Sequence, residues 1–218
     1  GVEYDMQRGA DFVQVDGKVY VIDITKAVQL GADINRLTSL FLKSDSAAIC
    51  ALLGKDTIAQ CAVRVYDSPL SNLGDTIKSH LRTQLYNRPL VPGSSLKGAI
   101  RSALFKHLRE AQDKDNVSVF GTMKDGIDLM RFLQVSDIEM TDTVLVNSKV
   151  FNLHSAEEGW LGGWKNGRHD TDDTYRPQGF NTVYECVKPS TRGIGTIVFA
   201  GQVHQLLLNY PTREPIPY

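Results

Sequence analysis

Cysteine is scarce in this chain: three in 218 residues, at Cys50, Cys61 and Cys186, with no C-x-x-C spacing. An odd, scattered set excludes a disulfide framework and predicts reduced thiols in a cytoplasmic protein. His80, His107, His154, His169 and His204 are equally dispersed. They supply neither a four-ligand zinc set with the cysteines nor a pair spaced for general acid–base work, so no metal or cofactor is expected. Long apolar runs are missing too. No stretch approaches the roughly 18 residues of a membrane-spanning helix, and no signal-peptide pattern appears, so neither membrane nor export is expected. Charge of one sign is also lacking: 24 Lys+Arg against 25 Asp+Glu leave a net −1. That argues against a free-standing, high-affinity nucleic-acid binder. It leaves room for a local basic strip on a subunit that shares its ligand with other proteins. There is no internal repeat of fixed period, and a first residue of Gly1 rather than Met points to a fragment.

What is present is ordinary globular composition, 42% hydrophobic and 22% charged, enough for one substantial domain or two small ones sharing a core. Asp11–Ile22 (DFVQVDGKVYVI) reads as a hairpin, because Asp16-Gly17 readily takes the positive φ values of a tight turn. Ile34, Leu37, Leu40 and Phe41 have helical spacing, and Ser46–Leu53 forms a second helix stopped by Gly54. Gln60–Tyr66 reads as a strand. Thr76–Leu85 fits a helix and a strand about equally. Leu129–Ile138, Thr143–Phe151, Asn181–Val187 and Thr196–Ala200 are β-rich, the last two making a final pair around the turn-rich Lys188–Gly195, which is either a phosphate-gripping loop or an ordinary hairpin loop. The Gly-, Asp-, Asn- and His-rich stretch 152–179 reads as a long exposed loop, and Asn209–Tyr218 as an extended tail.

The most informative segment is Pro89–Leu104, PLVPGSSLKGAIRSAL. Pro89 and Pro92 enforce extended geometry. Ser94 or Ser95 can then cap a helix running to about Gln112, with Leu96, Ile100, Leu104 and Leu108 as its apolar stripe. Unpaired N–H groups at such a helix start favour an anion. Lys97 and Arg101, four apart, share a face, and Gly98 lets another backbone come close. A nucleotide P-loop is excluded, since Gly98 is followed by Ala99 rather than Lys. Two readings stay open on physical grounds: a phosphate grip, or a capped amphipathic helix with solvated Lys97 and Arg101.

The string resembles the signature of the RAMP superfamily of CRISPR proteins, a Pro-Gly-Ser-Ser-x-Lys-Gly-x-x-Arg segment opening a helix. Asp11–Asp23, Asp128–Asp137 and Tyr184–Arg192 (YECVKPSTR) are similar to one branch, which supplies the fifth subunit of the type III-A Csm complex. The resemblance implies an α+β, ferredoxin-like, RNA-recognition-like βαββαβ core, with a second, incomplete ferredoxin-like half. It implies a non-catalytic subunit that caps the 3′ end of the guide RNA (crRNA) and supports its maturation in antiviral defence. Guide RNA and sister Csm subunits, chiefly the repeated backbone RAMP subunit, would be its partners. Ser94, Ser95, Lys97, Gly98 and Arg101 would bind RNA, joined by Lys188, Arg192 and Gly193 of a second, glycine-bearing loop. The expected division is 1–128 and 129–218. The chain departs from the family in starting at what would be the last glycine of a loop after the first strand, and in ending earlier.

Two further features carry alternatives. In related backbone subunits an aspartate after the first strand cuts RNA with a metal. Asp5 and Asp11 fall in that region, so a metal-dependent endoribonuclease using Asp11 is the rival reading, against a plain turn-opening Asp11. Trp160, Trp164, Lys165, Arg168 and Tyr175 suit stacking on unpaired bases, but Glu157, Glu158, Asp170, Asp172 and Asp173 share the stretch. Protein contact, or no ligand, is equally open there. Arg131 either faces RNA or pairs with a carboxylate.

Overall fold

A computed structural model describes residues 4–109, 116–121, 128–156, 159–167, 171–176 and 180–201. In chain order the elements are β1 (Asp5–Gln7), β2 (Phe12–Val15), β3 (Lys18–Ile22), α1 (Ile24–Gln29), α2 (Ile34–Leu42), α3 (Ser46–Cys61), β4 (Ala62–Asp67) and β5 (Thr76–Lys78). There follow β6 (Leu90–Val91), α4 (Gly93–Leu108), α5 (Asn116–Phe120), a 3-10 turn at Leu129–Phe132, β7 (Leu133–Val135) and β8 (Ile138–Glu139). The chain continues through β9 (Thr143–Lys149), β10 (Phe151–Ala156), β11 (Gly159–Lys165), β12 (Thr171–Asp172), β13 (Asn181–Val187) and β14 (Ile197–Phe199). The fold is mixed α+β. It divides into two compact units, Gly1–Leu81 with Asp142–Pro189, and Arg82–Thr141 with Ser190–Tyr218. Each is assembled from two separated stretches rather than from the sequential halves 1–128 and 129–218.

The first unit is organised by the predicted hairpin. Asp16 and Gly17 have φ of 50° and 73°, the pair of left-handed residues that a type I′ turn requires. The hairpin is apolar on both faces. Phe12, Val19 and Val21 pack with Met6, Tyr66, Leu73, Ile77, Leu145 and Val183. Val13 and Ile22 pack instead with Ala27, Leu37, Phe41, Ile49, Leu53 and Ile58 of the helices. Asp23, Asp33 and Asp45 cap α1, α2 and α3 by accepting first-turn amides. Gly54, at φ 71°, breaks α3 where the sequence places a helix stop. The β2–β3–β4 sheet is joined in this unit by a second sheet, ordered β1–β5–β13–β9, in which β5 and β13 are parallel and the outer pairs antiparallel.

A carboxylate lies inside this unit. Glu185 Oε1 accepts from Tyr66 Oη (2.5 Å) and Thr143 Oγ1 (2.8 Å), and Oε2 from the His80 amide (3.0 Å). Arg64 Nε lies 4.0 Å away. Burial, then the Glu185 charge and hydrogen bond, push the Tyr66 phenol up to about 12. A raised pKa keeps the folded phenol neutral. Its stabilisation is therefore full below the ordinary value near 10 and is lost as pH climbs towards 12. Urea unfolding across that window is expected to show wild type losing about 2–3 kcal/mol more than Tyr66→Phe, at about 1.36 kcal/mol per unit. Parallel losses in the two proteins would refute this.

Several expectations are corrected. Much of the described part of 152–179 is strand rather than irregular loop: β10 pairs antiparallel with β11 and β11 with β12, with Phe151 opposite Trp164. Two of its glycines, Gly162 and Gly163, allow a close approach. A Cβ on Gly162 would lie 2.4 Å from the Phe151 ring, and one on Gly163 2.8 Å from Asp172 O. Asn181–Val187 and Ile197–Phe199 are strands, but they do not pair with each other: β13 joins β9 and β5, and β14 joins β7. Thr76–Lys78 is a strand. Leu129–Ile138 opens with the 3-10 turn, so Arg131 is not on a strand. The predicted tail, Asn209–Tyr218, lies outside the described residues.

Candidate nucleic-acid interface

The second unit carries the α4 segment. Extended Leu90–Val91 pairs with Ile138–Glu139, and the Met140 amide donates to Pro89 O at 2.8 Å. Pro92 (φ −63°, ψ 134°) is the N-cap and offers no side-chain cap bond. Neither serine caps the helix, contrary to expectation, because the N-cap is Pro92, two residues before Ser94, and α4 begins at Gly93. The acceptor comes from elsewhere in sequence: Gly93 N–H donates to Asp137 Oδ1 at 2.7 Å. Gly93 has no room for a side chain, since a Cβ would fall 2.1 Å from Val135 O. The Ser95 and Leu96 amides both reach Pro92 O at 3.1 Å, and among the described residues the Ser94 amide is left open to an outside acceptor.

Along α4, Ser94, Ser95, Gly98, Ala99 and Ser102 are exposed. A Cβ on Gly98 would meet nothing within 4 Å, so none of the described residues fills the gap. Lys97 and Arg101 are half-buried beside a stripe of Leu96, Ile100, Phe105 and Leu108; Leu104 is exposed, so Phe105 takes its place in the stripe. The Arg101 guanidinium lies 5.2 Å from the Phe120 ring, which fixes its direction.

The second predicted loop is split. Lys188 belongs to the first unit, where its amide donates to Asp142 O at 3.1 Å. Arg192 and Gly193 belong to the second, both exposed. Gly193 and Gly195 press on Ile138: added Cβ atoms would lie 2.4 and 2.6 Å from its side chain. Thr196 N–H donates to Ser136 Oγ at 2.8 Å and Ser136 N–H to Thr196 O at 2.9 Å. The α4 start and the 192–196 segment thus lean on one stretch, Val135–Met140. Sequence reading missed Ser136 and Asp137. The available signal was a Ser-Asp pair ending a strand and a helix whose N-cap is proline.

The other candidates separate. Asp11 Oδ2 accepts the Gln7 amide at 2.8 Å and closes a turn, while Asp5 pairs with Lys78 at 2.6 Å. No three His, Cys, Asp or Glu gather to hold a metal among the described residues. On the β10–β12 sheet, Trp164 meets Phe151 and Tyr175 edge-on, at 4.9 and 5.0 Å between centroids. Lys149 Nζ lies 5.9 Å from the Tyr175 ring and Lys165 Nζ 4.0 Å from Phe180. Asp172 is engaged internally by Asn166, Thr174 and Arg176. Glu157, Glu158, Arg168 and Asp170 lie outside the described residues. No helix among the described residues is long and apolar enough to cross a membrane.

No curated protein sequence matches the chain. Its fold is similar to the crystal structure of T. onnurineus Csm5, with a TM-score of 0.58 at 17% identity over 96% of this chain and 67% of that one. It is also similar to a chain in the cryo-EM structure of a Csm–crRNA–target RNA ternary complex of a type III-A CRISPR-Cas system. There the TM-score is 0.60 at 19% identity, over 96% of this chain and 63% of the other. The chain therefore spans about two thirds of the length of these structures. At such identities the likeness establishes the fold alone. Sequence carries the family: the RAMP superfamily pattern matches residues 33–162, more than half the chain and the whole of the Pro-Gly-Ser-Ser helix start, so this chain belongs to the RAMP superfamily.

Proposed function

We propose that this chain is a guide-RNA-binding subunit of a type III-A CRISPR effector complex, with no catalytic centre of its own. It would work in the cytoplasm beside sister Csm subunits, the repeated backbone subunit foremost, capping the 3′ part of the guide and supporting its maturation. The observation that carries the reading is the convergence of the α4 start and the Arg192–Gly195 segment on Val135–Met140. That arrangement presents Ser94, Ser95 and the open side of Gly98 to a backbone. Lys97, Arg101 and Arg192 supply positive charge, and Arg101 is pre-set by Phe120. Lys188 would make a separate contact from the first unit. A ferredoxin-like core is part of the proposal, supported by the parallel β5–β13 pair between antiparallel neighbours.

Lys97→Ala and Arg192→Ala are each expected to weaken binding to a labelled single-stranded RNA irrespective of sequence. Each should also reduce the slope of log K against log salt by about 1. Wild-type slopes in both would contradict the reading. The same RNA incubated with magnesium should remain intact; cleavage that disappears in Asp11→Ala would establish an endoribonuclease instead.

A further inference from the structure

We infer that Asp137 is the positioning residue of this RNA surface, fixing the α4 start against the Arg192–Gly195 segment while placing a negative charge beside the bound phosphates. The inference rests on the guide-RNA reading. Pro92 gives the helix no side-chain acceptor, and Ser94 and Ser95 lie beyond the cap position, so the Gly93 amide depends on Asp137 Oδ1, 2.7 Å away. The neighbouring residue does the same work for the other segment, because Ser136 exchanges two hydrogen bonds with Thr196. Consecutive side chains thus tie two segments separated by about a hundred residues, and the register of one to the other passes through the Ser136–Asp137 peptide.

The charge has two effects of opposite sign. A carboxylate at a helix start stabilises the helix, through the amide it caps and the dipole it faces. The same charge repels a phosphodiester drawn to Lys97, Arg101 and Arg192. A residue selected only to hold RNA would be neutral here. Asp137 is therefore read as a side chain whose geometric role outweighs its electrostatic cost, and the two roles can be separated by substitution.

Asp137→Asn keeps an acceptor for the Gly93 amide and removes the charge. It is expected to bind a labelled single-stranded RNA about two- to fivefold more tightly than wild type at low salt, with the advantage fading as salt screens it. Asp137→Ala removes both, and is expected to bind at least about tenfold more weakly, with a salt slope lower by about 1–2 as contacts of the two segments come apart. Both variants are measured as the whole chain, at a temperature where circular dichroism reports it folded. A residue that only stabilised the fold would leave the slope of the folded protein unchanged. A wild-type slope in Asp137→Ala, or binding by Asp137→Asn no tighter than wild type, overturns the assignment. If Asp137→Ala does not fold, Asp137→Asn alone decides. When these variants fail while Lys97→Ala weakens binding as expected, only the assignment is lost. When Lys97→Ala also keeps wild-type affinity and slope, the RNA reading falls and the assignment with it.

Discussion

Alanine at Glu185 is expected to destabilise the protein by about 3–5 kcal/mol, the largest loss predicted for any single substitution here. The side chain is fully buried. It accepts from Tyr66 and Thr143 on one oxygen and from the His80 amide on the other. Removing it takes a buried acceptor from all three donors, of which Tyr66 and Thr143 keep each other at 3.1 Å, and each buried hydrogen bond lost costs about 1–3 kcal/mol, less than additively. It also removes a carboxylate 4.0 Å from Arg64 Nε and leaves a cavity opposite Leu145. Tyr66→Phe loses one donor and leaves the carboxylate two others, so its cost should be nearer 1–2 kcal/mol. Urea unfolding of the two variants ranks them directly. A loss below about 1 kcal/mol for Glu185→Ala would mean that the stranded groups find new partners.

The second large effect is expected at Gly93, and it is one of space. An alanine Cβ there would sit 2.1 Å from Val135 O and 2.8 Å from Ser136 C and O. These are backbone atoms of the stretch that holds both segments, so no flexible side chain can yield. The α4 start must move, at a cost of about 1–3 kcal/mol, and the Gly93–Asp137 bond goes with it. RNA affinity should fall by at least tenfold, about 1.4 kcal/mol. Gly98 is the control. A Cβ there meets nothing within 4 Å, so Gly98→Ala should stabilise the free protein by about 0.5–1 kcal/mol through helix propensity. If an RNA backbone occupies that open side, Gly98→Ala will be more stable and yet bind RNA less well. Unimpaired binding would remove Gly98 from the contact surface.

What could be read from the sequence was what short-range chemistry determines. The hairpin at Asp16-Gly17 follows from two residues that tolerate positive φ, and the break at Gly54 from one that does. The helix after Pro92 follows from its apolar spacing. What was misread depends on distant partners. Thr196–Ala200 looks like the mate of Asn181–Val187, but Ile197–Phe199 pairs with β7 and Asn181–Val187 with β9 and β5. Glycines 162 and 163 look like loop residues until Phe151 and Asp172 come against them. Glu185 stands in an apolar strand as an anomaly, and its partner Tyr66 is 119 residues away. The same limit hid Asp137, whose capped amide is 44 residues upstream. The Lys97–Gly98–Arg101 pattern was visible, whereas the ring that orients Arg101 was not.

The proposed grip of guide RNA by the exposed face of α4 and the Arg192–Gly195 segment is tested most directly by a cryo-EM structure of the chain assembled with sister Csm subunits and guide RNA. The expected result is guide phosphates within hydrogen-bond reach of Ser94, Lys97 and Arg192, with the sugar–phosphate chain passing the open side of Gly98. A map in which that face lies against protein, or in solvent with the guide running elsewhere, would contradict it.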